Sequence, residues 1–121
     1  MPLENTVTIT AEHLEHNVLK LSLAGRLDLE GVNTIDDTFT QMIAYPTQAV
    51  LIDMQKVNFL ASFGIRLLLI NAKALYNRGG KMALYNVEPN IAKVLEISGL
   101  DKLIPVHPEM TSAQSWILST I

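Results

Sequence analysis

The stretch Phe59-Leu60-Ala61-Ser62-Phe63-Gly64 runs without a break into the apolar segment Ile65-Arg66-Leu67-Leu68-Leu69-Ile70. A hydroxyl and a glycine stand where an extended or looped segment gives way to a helix. Three kinds of chemistry suit a serine at such a point: a nucleophile, a phosphate acceptor, or a helix cap. A nucleophile elbow needs small residues on both sides of the serine. Gly64 supplies one of them, but Leu60 occupies the other position. The three histidines, His13, His16 and His107, offer no base in a convincing context. Hydrolytic chemistry is therefore unsupported. A phosphate on Ser62 is different, because a helix N-terminus presents unpaired N–H groups and the positive end of the dipole. It would add a charge of about −1.5 to −2 and leave the fold intact. An ordinary N-cap, stabilising by about 1 kcal/mol, is the simpler alternative. The residues alone leave both open.

Other candidate constellations are weaker. Glu12-His13-Leu14-Glu15-His16 has metal-ligand types, but it falls in a hairpin connection where such side chains are usually solvated. Asn77-Arg78-Gly79-Gly80-Lys81 carries glycines and cations, yet it follows a helix instead of preceding one, so it is no P-loop. Asp28 and Asp53 read as cap or turn groups, not as an acid–base pair. Tyr85 and Trp116 read as packing residues. No cofactor or metal is expected.

The 16 residues from Ser62 to Asn77 have two faces when each is placed about 100° from the last. Ile65, Leu68, Leu69, Ala72, Leu75 and Tyr76 gather on one side as the expected core. Arg66, Lys73 and Asn77 gather opposite. Phe63 and Ile70 fall beside that polar stripe, next to Ser62, with Leu67 and Ala74 at its border. An outward apolar patch rimmed by charge marks a partner surface. The alternative is that a neighbouring helix covers Phe63 and Ile70. Gly64, in the first turn, would leave room for a partner to approach.

The elements that position these residues follow from periodicity. Thr6 to Thr10 and Val18 to Leu23 alternate as strands, joined by a hairpin connection. Asp28 stands at a helix N-cap, and Val32, Ile35, Phe39, Met42 and Ile43 follow at helical spacing until Pro46 stops them. Ala49 to Met54 is a continuous apolar run typical of a central strand. Arg78-Gly79-Gly80 closes the Ser62 helix. Lys81 to Tyr85 is a strand, and Pro89 opens a helix that ends at Ser98-Gly99. Leu103 to Val106 is a last short strand. Thr111 or Ser112 caps a terminal helix carrying Trp116, Ile117 and Ile121. The order is β-β-α-β-α-β-α-β-α. It indicates an α/β domain with a mostly parallel sheet whose edge is the leading hairpin.

Composition sets the bounds. The chain has 121 residues, the usual size of one domain, and 49% of them are apolar, enough for a core without staples. There are no cysteines, which excludes disulfides, thiolate zinc sites and a Cys nucleophile. The net charge is −3 and the nine Lys and Arg residues are scattered, so no basic stripe exists for nucleic acid. No apolar run approaches the roughly 20 residues of a membrane span. The N-terminus has no signal-peptide pattern, and a cytoplasmic location is expected.

AGRLDLEGV (24–32), VLIDMQKVNFLASFGIRLLL (50–69), RGGKMALYNVEP (78–89) and VLEISGLDKLI (94–104) together resemble a STAS domain, the fold of bacterial anti-sigma factor antagonists. The resemblance spans nearly the whole chain and implies a single domain over 1–121. It implies a central mixed, mostly parallel sheet with an N-terminal hairpin edge and about four helices. Such proteins are non-enzymatic. They bind an anti-sigma factor, often an ATP-dependent serine protein kinase, and so free a sigma factor. The kinase ends the binding by phosphorylating a serine, and a phosphatase resets it. The matching position here is Ser62, and Asp28 matches an acidic residue beside it. The implied partner surface comprises Asp28, Ala61, Ser62, Phe63, Gly64, Arg66, Leu67 and Ile70. Two departures stand out: Ala61 replaces the family's Asp before the acceptor, and Phe63 replaces its small residue afterwards. They favour a second reading, a constitutive scaffold subunit of a signalling or lipid-transport complex.

Overall fold

The computed structural model describes residues 7–119. Strands β1 (Thr8–His13) and β2 (Val18–Leu27) form an antiparallel hairpin, turned by a short 3-10 segment at Glu15–Asn17. Helix α1 (Leu29–Ile43), β3 (Ala49–Leu60), α2 (Ser62–Asn77), β4 (Lys81–Tyr85), α3 (Pro89–Ser98), β5 (Val106–His107) and α4 (Met110–Ser119) follow. The five strands lie in the order β1-β2-β3-β4-β5, with β2 through β5 parallel. The expected hairpin edge and central β3 are both present.

This order explains the layers. A crossover between parallel strands is right-handed, so a sheet that grows steadily in one direction places every crossover helix on one face. The side chains agree. Val50, Ile52 and Met54 of β3 share a core with Phe39 of α1, Leu68 and Leu75 of α2, and Ile91 and Leu95 of α3. Ala49 and Leu51, pointing the other way, join Ala83 and Tyr85 in a smaller cluster covered by Ala113 and Ile117 of α4. Central strands buried on both faces require continuous apolar runs, which is why AVLIDM carries no polar alternation. Burial on that second face, with the negative charges of Asp53 and Glu12, pushes the Tyr85 phenol up to about 12.

Several boundaries differ from the sequence reading. The first strand begins at Thr8 instead of Thr6, which lies outside the described residues. The last strand is Val106–His107, not Leu103–Val106. Leu100 and Ile104 bury themselves from a 3-10 turn and the loop after it, so their apolar character reflects packing without strand pairing. Helix α4 starts at Met110, which places Thr111 and Ser112 inside it; the Ser112 hydroxyl donates back to the Glu109 carbonyl at 2.9 Å. Ile121 lies outside the described residues.

The junction after α2 fixes how that helix sits. Gly80 N–H donates to Leu75 O (2.7 Å) and Gly79 N–H to Tyr76 O (3.1 Å), the paired bonds of a Schellman cap, with Gly79 at φ 84°. Arg78 then ties three segments together. Its guanidinium donates to the carbonyls of Thr47 (2.7 Å), Ala74 (3.3 Å) and Ile43, closing the end of α1 against the end of α2. Hydrogen bonds from a charged donor are each worth more than neutral ones. Arg78→Ala is expected to lower stability by about 2 kcal/mol in urea unfolding. A change below about 0.5 kcal/mol would show that these carbonyls are equally well served by water.

Candidate functional site

The site forms where α1 and α2 begin, at the ends of the adjacent strands β2 and β3. β3 runs on to Leu60, six residues past the expected Met54. Its second half pairs only with β2, and the register shifts twice, between Ser22 and Ala24 and between Gly25 and Arg26. Gly25 takes φ 109° at this irregularity, a conformation that L side chains resist. The Asp53 carboxylate accepts the Gln55 N–H at 3.0 Å where the polar half of β3 begins. The extension carries Ser62 clear of the sheet.

Asp28 caps α1 as expected. Its Oδ1 accepts the Gly31 N–H at 2.9 Å, and its Oδ2 lies 3.4 Å from Nε of Arg26. The Gly31 hydrogen bond and the nearby Arg26 charge hold this carboxyl below the usual carboxylate range. The Arg26 guanidinium stacks 4.0 Å over the Phe59 ring, its register neighbour on β3. Neither Arg26 nor Phe59 was assigned to the site from the sequence. The signal available was their place one residue before Leu27 and Leu60, which pair where both strands end.

Ser62 does not cap α2. Ala61 is the N-cap: its backbone is extended, and its carbonyl accepts the Ile65 N–H at 3.1 Å. Ser62 is the first helical residue and is exposed. Alanine has no side-chain oxygen, so no side chain caps this helix. The positive end of its dipole is left to solvent beside the Ser62 hydroxyl.

The outward face of α2 holds some expected residues and not others. Phe63 is 45% exposed and Ile70 53%, and α1 leaves both uncovered. Arg66 is exposed between them. Leu67, expected at the border, is only 4% exposed and belongs to the core. Gly64 is also buried. A Cβ there would lie 2.5 Å from Leu60 Cδ1 and 2.8 Å from Leu27 Cβ, so the glycine makes room for the sheet, not for a partner. Ala61 is partly buried. A groove of about 410 Å³ runs between α1 and α2, with Leu29, Phe63, Ile70, Arg66 and Asp36 among its walls. Leu29, 48% exposed, was missed because the helical pattern was read from Val32 onward.

The remaining candidates lie apart. His13 ends β1, and His16 sits in the hairpin turn at φ 63°. His107 is on β5, its ring tilted against Trp116 at 6.0 Å. Among the described residues no cluster of three or more His, Cys, Asp or Glu side chains could hold a metal ion, and no helix is long and apolar enough to cross a membrane. The arrangement sets the exposed Ser62 beside the exposed apolar side chains Phe63 and Ile70 at a groove between α1 and α2.

Comparison with known proteins gives a consistent picture. The anti-sigma F factor antagonist of Paenibacillus polymyxa is 26% identical over 103 residues, 83% of this chain and 88% of that protein. The crystal structure of an anti-sigma factor antagonist from Mycobacterium paratuberculosis superposes with TM-score 0.85 at 22% identity, covering 98% of this chain and 99% of its own. The phosphorylated form of the Bacillus cell fate determinant SpoIIAA superposes with TM-score 0.68 at 22% identity, covering 89% and 98%. The family model for the STAS domain matches residues 8–113, and with the mixed sheet and the α1–α2 surface in place, the chain belongs to the STAS domain family.

Proposed function

We propose that this protein is an anti-sigma factor antagonist. It binds an anti-sigma factor of the serine-kinase kind through the α1–α2 surface and so frees a sigma factor. The observation that carries this reading is the exposed residue Ser62 at the start of α2, with exposed Phe63, Ile70 and Leu29 nearby. Asp28, Ala61 and Arg66 complete the contact edge. Gly64 and Leu67 support it from beneath.

Phosphorylation of Ser62 would end the binding. The hydroxyl attacks the γ-phosphorus of a nucleoside triphosphate, an Oγ–P bond forms as the bond to the diphosphate breaks, and the hydroxyl proton passes to the kinase. The product is tolerated at an uncapped helix start. The fold persists, while the edge of an apolar docking surface becomes a hydrated anion. A phosphatase reverses the step by hydrolysis.

The test is incubation with Mg-ATP and the histidine-kinase-like ATPase anti-sigma factors of the same organism, followed by intact mass and fragmentation. One phosphoryl group on Ser62 is expected. Unmodified protein, or modification only elsewhere, overturns the switch. A second reading, a permanent subunit of a signalling or lipid-transport assembly, is favoured by Phe63, a half-exposed ring directly beside the hydroxyl. It predicts co-purification with a transporter ATPase and no kinase.

A further inference from the structure

We propose that Arg66 is the cation that pairs with a phosphate on Ser62, one turn away on the same helix. The inference rests on Ser62 being the modified position and adds the side chain through which the modification reaches the docking face.

Position comes first. Ser62 and Arg66 lie four residues apart on α2, and both are exposed. Side chains at that spacing share one face of a helix, with Cβ atoms about 6 Å apart. Helical side chains lean toward the N-terminus, which carries Arg66 back over the turn that Ser62 begins. The order of charges is the favourable one, with the anion four residues before the cation. Of the residues three and four places from Arg66 in either direction, Ser62, Phe63, Leu69 and Ile70, only Ser62 can acquire a charge.

Availability comes next. Among the described residues the ion pairs are Lys20 with Glu12 and Arg26 with Asp28, so the Arg66 guanidinium is unpaired. Asp36 shares the walls of the groove with Arg66 without forming an ion pair with it. The first turn of α2 holds no acidic residue, and Ala61 before the acceptor supplies none. Nothing at the helix start therefore competes for the guanidinium. Arg26, the other arginine at this end of the sheet, is held by Asp28 and the Phe59 ring. A simple ion pair between exposed side chains barely offsets the entropy lost in ordering them. A phosphate dianion changes that balance, because it offers the guanidinium two parallel, charge-assisted hydrogen bonds and carries more charge than a carboxylate.

The pairing has a consequence for the docking face. With Ser62 unmodified, Arg66 is an exposed positive charge between Phe63 and Ile70. Held by the phosphate, it is drawn toward the start of α2. The face then loses its free cation while its edge gains an anion, so one modification alters two charges of the surface.

The test uses full-length protein with phosphoserine installed at position 62 by genetic encoding, so it needs neither kinase nor partner. The second ionisation of the phosphate is followed by phosphorus NMR, and the Arg66 Nε–H by nitrogen-correlated spectra. At low salt the wild-type phosphate is expected to titrate about 0.3 to 0.6 unit below that of Arg66→Gln. The Nε–H signal should move as the phosphate takes its second charge. Arg66→Lys, which keeps the charge, should restore at least half of the difference. Arg66 is exposed, so these variants keep the fold. Equal titration in wild type and Arg66→Gln, an unmoved Nε–H signal, or no restoration by lysine overturns the proposal. These outcomes stand apart from the kinase assay: a chain that no kinase modifies would refute the switch without altering the titration.

Discussion

Replacing Gly31 by alanine is expected to destabilise the protein by about 3 kcal/mol, the upper end for one added methyl in a packed site. Two effects oppose each other. Alanine is the better helix former by about 1 kcal/mol, which alone would make the change stabilising. The added Cβ, however, would stand 2.0 Å from the Arg26 carbonyl oxygen and 2.6 Å from Cγ2 of Val7. The carbonyl belongs to β2 and cannot turn aside, so the first turn of α1 must lift from the sheet. Lifting it pulls Gly31 N–H from Asp28 and tilts Leu29 at the mouth of the groove. Sterics win by several-fold. Thermal unfolding should show a fall of roughly 10 °C. A rise, or no change, would mean that α1 approaches β2 less closely than described.

The second large effect concerns binding, with stability held constant. Phe63→Asp, alone or with Ile70→Asp, places carboxylates on the half-exposed apolar face of α2. Neither wild-type side chain belongs to the core, so the melting temperature should stay within the range of an ordinary surface change, about 0.5 kcal/mol. An aromatic anchor at the centre of an interface contributes about 2 kcal/mol or more, so affinity for an anti-sigma partner should fall at least ~30-fold. Leu67→Asp makes the contrast. Leu67 faces the core, so that variant should unfold instead of merely losing its partner. Unchanged affinity in Phe63→Asp would move the interface elsewhere.

Much of this was legible from residue order, for identifiable reasons. β4 and α2 coincide with their expected bounds because a glycine pair separates a strong helical pattern from a strong strand. The hairpin edge and the interior place of β3 follow from the alternation of elements. What misled was local competition. The buried face of α2 is Gly64, Leu67, Leu68, Asn71, Ala72 and Leu75, one step around from the expected face. Asn71 hides this, since a polar residue argues against burial. Its side-chain amide donates to Leu67 O at 2.9 Å within the helix, which offsets part of the cost of burying it. A cap at Ser62 was one reading that the residues left open because serine caps well, but Ala61 already has the extended backbone and the carbonyl that a cap requires. The second half of β3 was hidden by Gln55, Lys56 and Asn58, polar residues on a stretch where only β2 pairs with it.

The most direct measurement is a calorimetric titration of the serine-kinase anti-sigma partner with two forms of this chain, unmodified and carrying phosphoserine at 62. At equal fold, judged by melting temperature, the unmodified form should bind at least tenfold more tightly. Equal affinity for the two forms would contradict the claim that a hydroxyl at the start of α2 controls the surface beside it.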